Sequence, residues 1–143
     1  MKKTFLRYKN LLLAAGGLVI ANVQPLAAMD VTSPYPAEVG LTDEGNRGFV
    51  FRRSPGNERL YIYDLDSVSR SLCNESCERV WSPVLAPASA RILGEWSVIR
   101  RDDGQLQWAY RGHPVYSLIG DAPDDPKGEG QEDGKWRLLP YEK

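Results

Sequence analysis

Two tyrosines and two aspartates fall within the stretch Leu60 to Asp66 ("LYIYDLD"), and two cysteines follow in "CNESC", Cys73 and Cys77. Phenols beside carboxylates can pass a proton or line a hydrogen-bonded pocket. They can equally fasten the ends of one strand. A Cys-x-x-x-Cys pair offers a disulfide, a soft-metal site or a redox couple. Copper(I) would favour a third soft or imidazole ligand, for which the chain has His113, its single histidine. With one histidine and no Gly-x-Ser-x-Gly elbow, the usual nucleophile–base triads cannot be assembled. Paired carboxylates for glycoside chemistry stay open, since any two acids can meet in space. "GEGQEDG" does not follow a strand and open a helix, so it is no cofactor loop. The expectation is a non-enzyme without a cofactor, with copper as the alternative.

The stretch from Asp121 to Asp133 carries six acids (Asp121, Asp124, Asp125, Glu129, Glu132, Asp133) against Lys127 alone. Calcium is the sharp reading of such a loop. An EF-hand register from Asp121 fails, because Pro123 takes the third position and Pro126 that of the required glycine. A solvated acidic loop is expected.

The N-terminus sets the compartment. "MKKTFLRYKN" is basic, Leu11 to Val23 is apolar, and "QPLAA" ends in small residues. That order reads as a secretory signal peptide cut after Ala28, with an uncleaved anchor as the alternative. The leader holds four of the 18 basic residues and none of the 19 acids, which leaves the mature chain at −5. A mildly acidic exported domain is a poor ligand for nucleic acid or anionic lipid. From Met29 the chain is long enough for one small domain. In an oxidising compartment two nearby cysteines are most simply one disulfide. Helical i and i+4 Cβ atoms lie about 5–6 Å apart where a disulfide needs roughly 3.5–4.5 Å, so pairing implies a turn or a distorted helical turn.

Residues 29–45 read as an irregular lead-in. "RGFVFRR" (Arg47–Arg53) and "ERLYIYD" (Glu58–Asp64) read as a hairpin across "SPGN". "WSVIRRDDGQLQWAY" (Trp96–Tyr110) is the clearest hairpin. A two-residue Asp103-Gly104 turn would pair Ile99 with Trp108 and set Leu106, Trp108 and Tyr110 on one face, with Gln105, Gln107 and Ala109 on the other. Strands are also expected at His113–Gly120 and Lys135–Pro140. The fold class is mostly β, a small antiparallel-sheet domain with little helix.

Spacing then adds an internal repeat. Tyr61, Asp66 and Trp81 recur as Tyr116, Asp121 and Trp136, each pair offset by 55 residues. The physical reading is two copies of a strand opening with Tyr, an Asp at its exit, a long loop and a Trp. Neither copy would bury enough surface alone. The expected domain thus spans 46–143 as two pseudo-symmetric repeats, about 46–90 and 91–143. Tyr63 and Asp64 have no echo, mapping to Leu118 and Ile119, which makes them the residues of this stretch to consider for binding.

These residues, with "CNESCERVWSP" and "DGQLQWAYRGHPVY", resemble a family of exported bacterial proteins described as predicted lipoproteins with a Tyr-x-(aromatic)-x-x-Asp motif, or as a secreted repeat of unknown function. Tyr61 to Asp66 matches that motif in full. In Tyr116 to Asp121, Leu118 stands where the aromatic would sit, and Val115 replaces the usual Leu. The likeness runs from about Arg59 to Trp136. No lipobox cysteine is present, so the lipoprotein label does not carry over. The resemblance implies a fold and an exported location, with an unspecified envelope protein or ligand as partner, and no established chemistry.

Overall fold

The computed structural model describes residues 33–139 together with Gly16 and Gly17. The expected leader, its cleavage after Ala28 and Met29 lie outside the described residues. The described chain forms strands β1 (Val39–Asp43), β2 (Phe49–Arg53), β3 (Tyr61–Tyr63), β4 (Trp81–Pro83), β5 (Trp96–Arg100), β6 (Leu106–Tyr110), β7 (His113–Pro114), β8 (Tyr116–Leu118) and β9 (Trp136–Leu138). They make three antiparallel sheets: β1-β2, β4-β8-β3-β9 and β5-β6-β7. Among the described residues, helix is limited to 3-10 turns at Gly45–Arg47 and Cys77–Arg79 and one turn at Gln131–Gly134.

Side chains alternate across a strand, and the four-stranded sheet uses both faces. Tyr61, Trp81, Tyr116, Leu118 and Trp136 point to one side, where they pack with Cys73. Leu60, Ile62, Val84, Val115 and Leu139 point to the other. There they join Val39, Phe51, Trp96, Trp108 and Tyr110 from the two smaller sheets. Phe51 is the hub of that second layer, edge-on to Trp96 at 5.1 Å and to Tyr110 at 5.2 Å.

Three local expectations are corrected. The lead-in contains a strand: β1 pairs β2 from Val39↔Arg53 to Asp43↔Phe49. β2 therefore takes β1 as its hairpin partner and meets the next strand only at the Arg52↔Arg59 bridge. The β5–β6 connection is one residue longer than a two-residue turn. Gly104 N–H donates to Arg101 O (3.0 Å), Arg101 N–H donates to Gln105 O (2.8 Å), and Gly104 has φ +86°. That is a three-residue loop closed by a glycine bulge, and Asp-Gly suits it as well as a two-residue turn. The register shifts accordingly, pairing Val98 with Trp108 and Ile99 with Gln107. Nor is the hairpin half-buried, since Gln107 and Ala109 are both fully buried.

Candidate functional site

Tyr61 and Tyr116 face each other across the two central strands, and neither is exposed. Tyr61 OH donates to Asp121 Oδ2 at 2.5 Å, and Tyr116 OH donates to Asp66 Oδ2 at 2.7 Å. Each tyrosine thus bonds the aspartate of the other segment. The second oxygen of each aspartate is also taken: Leu72 N–H donates to Asp66 Oδ1 (2.7 Å) and Lys127 N–H to Asp121 Oδ1 (2.8 Å). Trp81 and Trp136 stack at 3.7 Å and 8°. Tyr61 lies edge-on to Trp81 and Tyr116 edge-on to Trp136, both at 5.2 Å.

The offset of 55 extends to the backbone. Val80 N–H donates to Cys77 O, and Lys135 N–H to Glu132 O; Ile119 N–H donates to Val80 O, and Asp64 N–H to Lys135 O. Val84 N–H donates to Val115 O, and Leu139 N–H to Leu60 O. The Ser67↔Arg70 bridge is matched by Ala122↔Asp125.

Burial pushes the Tyr61 hydroxyl well above its ordinary value, helped by its bond to Asp121. Burial does the same to Tyr116, helped by the Asp66 charge. Burial also raises Asp66, outweighing the Leu72 and Tyr116 hydrogen bonds and the Arg101 charge. Buried phenols above their usual range stay protonated at neutral pH and act as donors, not bases.

The two segments differ at Cys73 and Gly128, which are related by the same offset of 55. A Cβ on Gly128 would lie 2.6 Å from the Tyr61 ring and 2.7 Å from Trp81, so only glycine fits. Gly128 N–H donates to Tyr61 OH (3.2 Å), while Ser71 Oγ pairs with Tyr116 OH (2.7 Å). The Trp136 indole N–H is buried and has no partner among the described residues.

Cys73 is fully buried, and Cys77 is placed at disulfide-bonding distance from it, with Cα atoms 5.2 Å apart around the start of the 3-10 turn. Arg101, buried and absent from sequence expectations, ties this loop to the β5–β6 hairpin. Its guanidinium donates to Cys73 O (2.6 Å), Ser71 Oγ (3.0 Å), Gln107 Oε1 (2.6 Å), Asn74 Oδ1 (3.3 Å) and Glu78. Finding it from sequence would have required the correct hairpin register, because one residue of slip turns Arg101 to the opposite face.

His113 is exposed on β7 opposite Tyr110. Among the described residues no three His, Cys, Asp or Glu side chains gather as a metal-holding set. Tyr63 stacks on Trp136 at 4.3 Å and donates to Glu132 (3.0 Å), and Asp64 pairs with Arg137 at 2.6 Å. The acidic loop is held both by its own residues and by the neighbouring strands. Glu129 accepts the Leu138 N–H, and Asp125 pairs with Lys127 at 2.6 Å.

The fold and this cluster define a small antiparallel β domain whose matched Tyr, Asp and Trp residues are spent on one another. Residues 97–139 match the family described as a secreted repeat of unknown function. No curated protein and no solved structure matches the chain. Among the described residues, no helix is long and apolar enough to cross a membrane.

Proposed function

We propose that this is a non-catalytic exported component of the cell envelope, structural or binding in role, built from two copies of one strand–Asp–loop–Trp unit. The observation that carries the reading is reciprocity. Tyr61 and Tyr116 are buried, each donates to the aspartate of the other segment, and both oxygens of both aspartates are occupied. Groups engaged with one another in this way hold a fold together, and the buried tyrosines are not presented to an outside molecule. The description of the matched family as secreted supports export, and the basic, apolar, small order of the N-terminus supports cleavage after Ala28 and release into the periplasm or medium. Cys73–Cys77 acts as a structural staple beneath the Trp81–Trp136 stack.

The test is to express the full chain with its leader, fractionate the cells, measure copper in the native exported product and weigh that product under denaturing, non-reducing conditions. A product beginning at Met29 with no titratable thiol and no retained copper is expected. Two free thiols with stoichiometric copper would overturn the reading in favour of a copper-binding or thiol-redox protein using Cys73, Cys77 and His113.

A further inference from the structure

Three guanidiniums converge on one carboxylate, Glu44, in the connection between β1 and β2. Glu44 accepts from Arg52 Nη2 at 2.5 Å and from Arg59 Nη2 at 2.7 Å, and Arg47 stands 4.0 Å away. The Arg52 and Arg59 side chains are only 7% and 9% exposed, so this is a concentration of positive charge in a largely dehydrated place. Such charge is costly unless it is paired. Arg52 finds further acceptors in the carbonyls of Asn57 and Pro123, both at 2.9 Å. Arg59 engages Glu44 through Nη2, and its buried Nε–H, like that of Arg52, finds no acceptor among the described residues.

Arg59 and Glu44 line a cavity of about 350 Å³, with the exposed Arg47 beside them. Its walls are apolar and come from Phe51, Leu60, Leu138 and Leu139. The volume is at the small end of ligand cavities, and an apolar wall with a few convergent polar groups is how such sites are built. Arginine presents a fork that matches a carboxylate with two parallel hydrogen bonds. A second carboxylate here would still leave the three arginines in excess.

We propose that this cavity binds a carboxylate carrying an apolar chain, with its head on the Arg59 guanidinium and its tail along Phe51, Leu60 and Leu139. The site is built from residues other than the Tyr–Asp–Trp set, so it stands or falls independently of the role proposed above.

The probe is octanoate, titrated into the full exported chain and followed by amide chemical-shift changes. Acetate supplies the head without the tail, and octanol the tail without the head. Saturable octanoate binding is expected, with shifts centred on Phe51, Leu60 and Leu139 and with both controls at least about tenfold weaker. Arg47→Ala, on an exposed side chain that leaves the fold intact, should weaken octanoate severalfold. Arg59→Lys should weaken it more, with the melting temperature measured alongside. Octanol binding as tightly as octanoate would overturn the proposal. So would shifts elsewhere, no saturation, or an affinity unchanged in both arginine variants.

Discussion

Asp66 and Glu44 are partly buried carboxylates with opposite pH behaviour. Burial raises Asp66 above its ordinary 3.8 despite the hydrogen bonds it accepts. A raised folded value means that this group's contribution to stability is fully present below about pH 3.8 and is lost as the pH climbs through the folded value. Asp66→Asn keeps an acceptor for Leu72 N–H, and Tyr116 OH can turn to Ser71. The expected melting temperature of Asp66→Asn at pH 7 therefore equals or exceeds that of the native chain. Asp66→Ala, which removes the acceptor of the exposed Leu72 N–H, should lose about 0.5–1.5 kcal/mol. At Glu44 burial again pushes upward, but the Arg52 and Arg59 hydrogen bonds and charges outweigh it and hold the carboxyl below 4.5. Its contribution is present above that value and is lost as the pH falls through the depressed one. Glu44→Gln should cost roughly 3 kcal/mol at neutral pH by leaving two buried arginines uncompensated. The two melting curves should converge in acid; a gap that persists unchanged to pH 2 would show that charge is not the cause.

At the scale of elements, Gly128 is the tightest point in the loop that caps the aromatic face. Gly128→Ala would drive a methyl into the Tyr61 ring and Trp81, which cannot yield because each is packed on all sides. Overpacking of that kind costs about 1–3 kcal/mol or prevents folding, and near-ultraviolet circular dichroism of the tryptophan stack should report it. The same scale shows what the sequence could and could not disclose. The Tyr, Asp and Trp spacings are legible because they are fixed along the chain, whatever the fold does. The β5–β6 hairpin is legible as a hairpin, yet its register is not, since Asp103-Gly104 suits both a two-residue turn and a bulged three-residue loop. That ambiguity hides Arg101, whose place beside Gln107 and Cys73 follows from one residue of shift. β1 escapes because "VGLTD" holds Gly40 and only a short alternation, and its strand character comes from covering Phe51 and pairing with β2. The Glu44–Arg52–Arg59 cluster is invisible for the same reason, as its members meet only through tertiary pairing.

At the scale of the molecule, the decisive feature is how the sheet is shared. In the order β4-β8-β3-β9, the strands at residues 81–83 and 61–63 alternate with those at 116–118 and 136–138. Neither half of the chain therefore owns a pair of neighbouring strands in this sheet, and each tyrosine reaches the aspartate of the other half. Loss of either half would expose strand edges on the other and unpair both Tyr–Asp bonds. A chain built so should unfold in one step. Urea transitions followed by tryptophan fluorescence and by far-ultraviolet circular dichroism are expected to coincide. The stack between Trp81 and Trp136 spans the halves, so Trp81→Phe and Trp136→Phe should be non-additive, with a coupling of about 0.5–1.5 kcal/mol in a double-mutant cycle. The unpaired Trp136 indole N–H makes the cycle cleaner, because replacing it breaks no hydrogen bond seen among the described residues. Two separated transitions, or strict additivity of the tryptophan variants, would mean that the halves stand independently in spite of the strands they interleave.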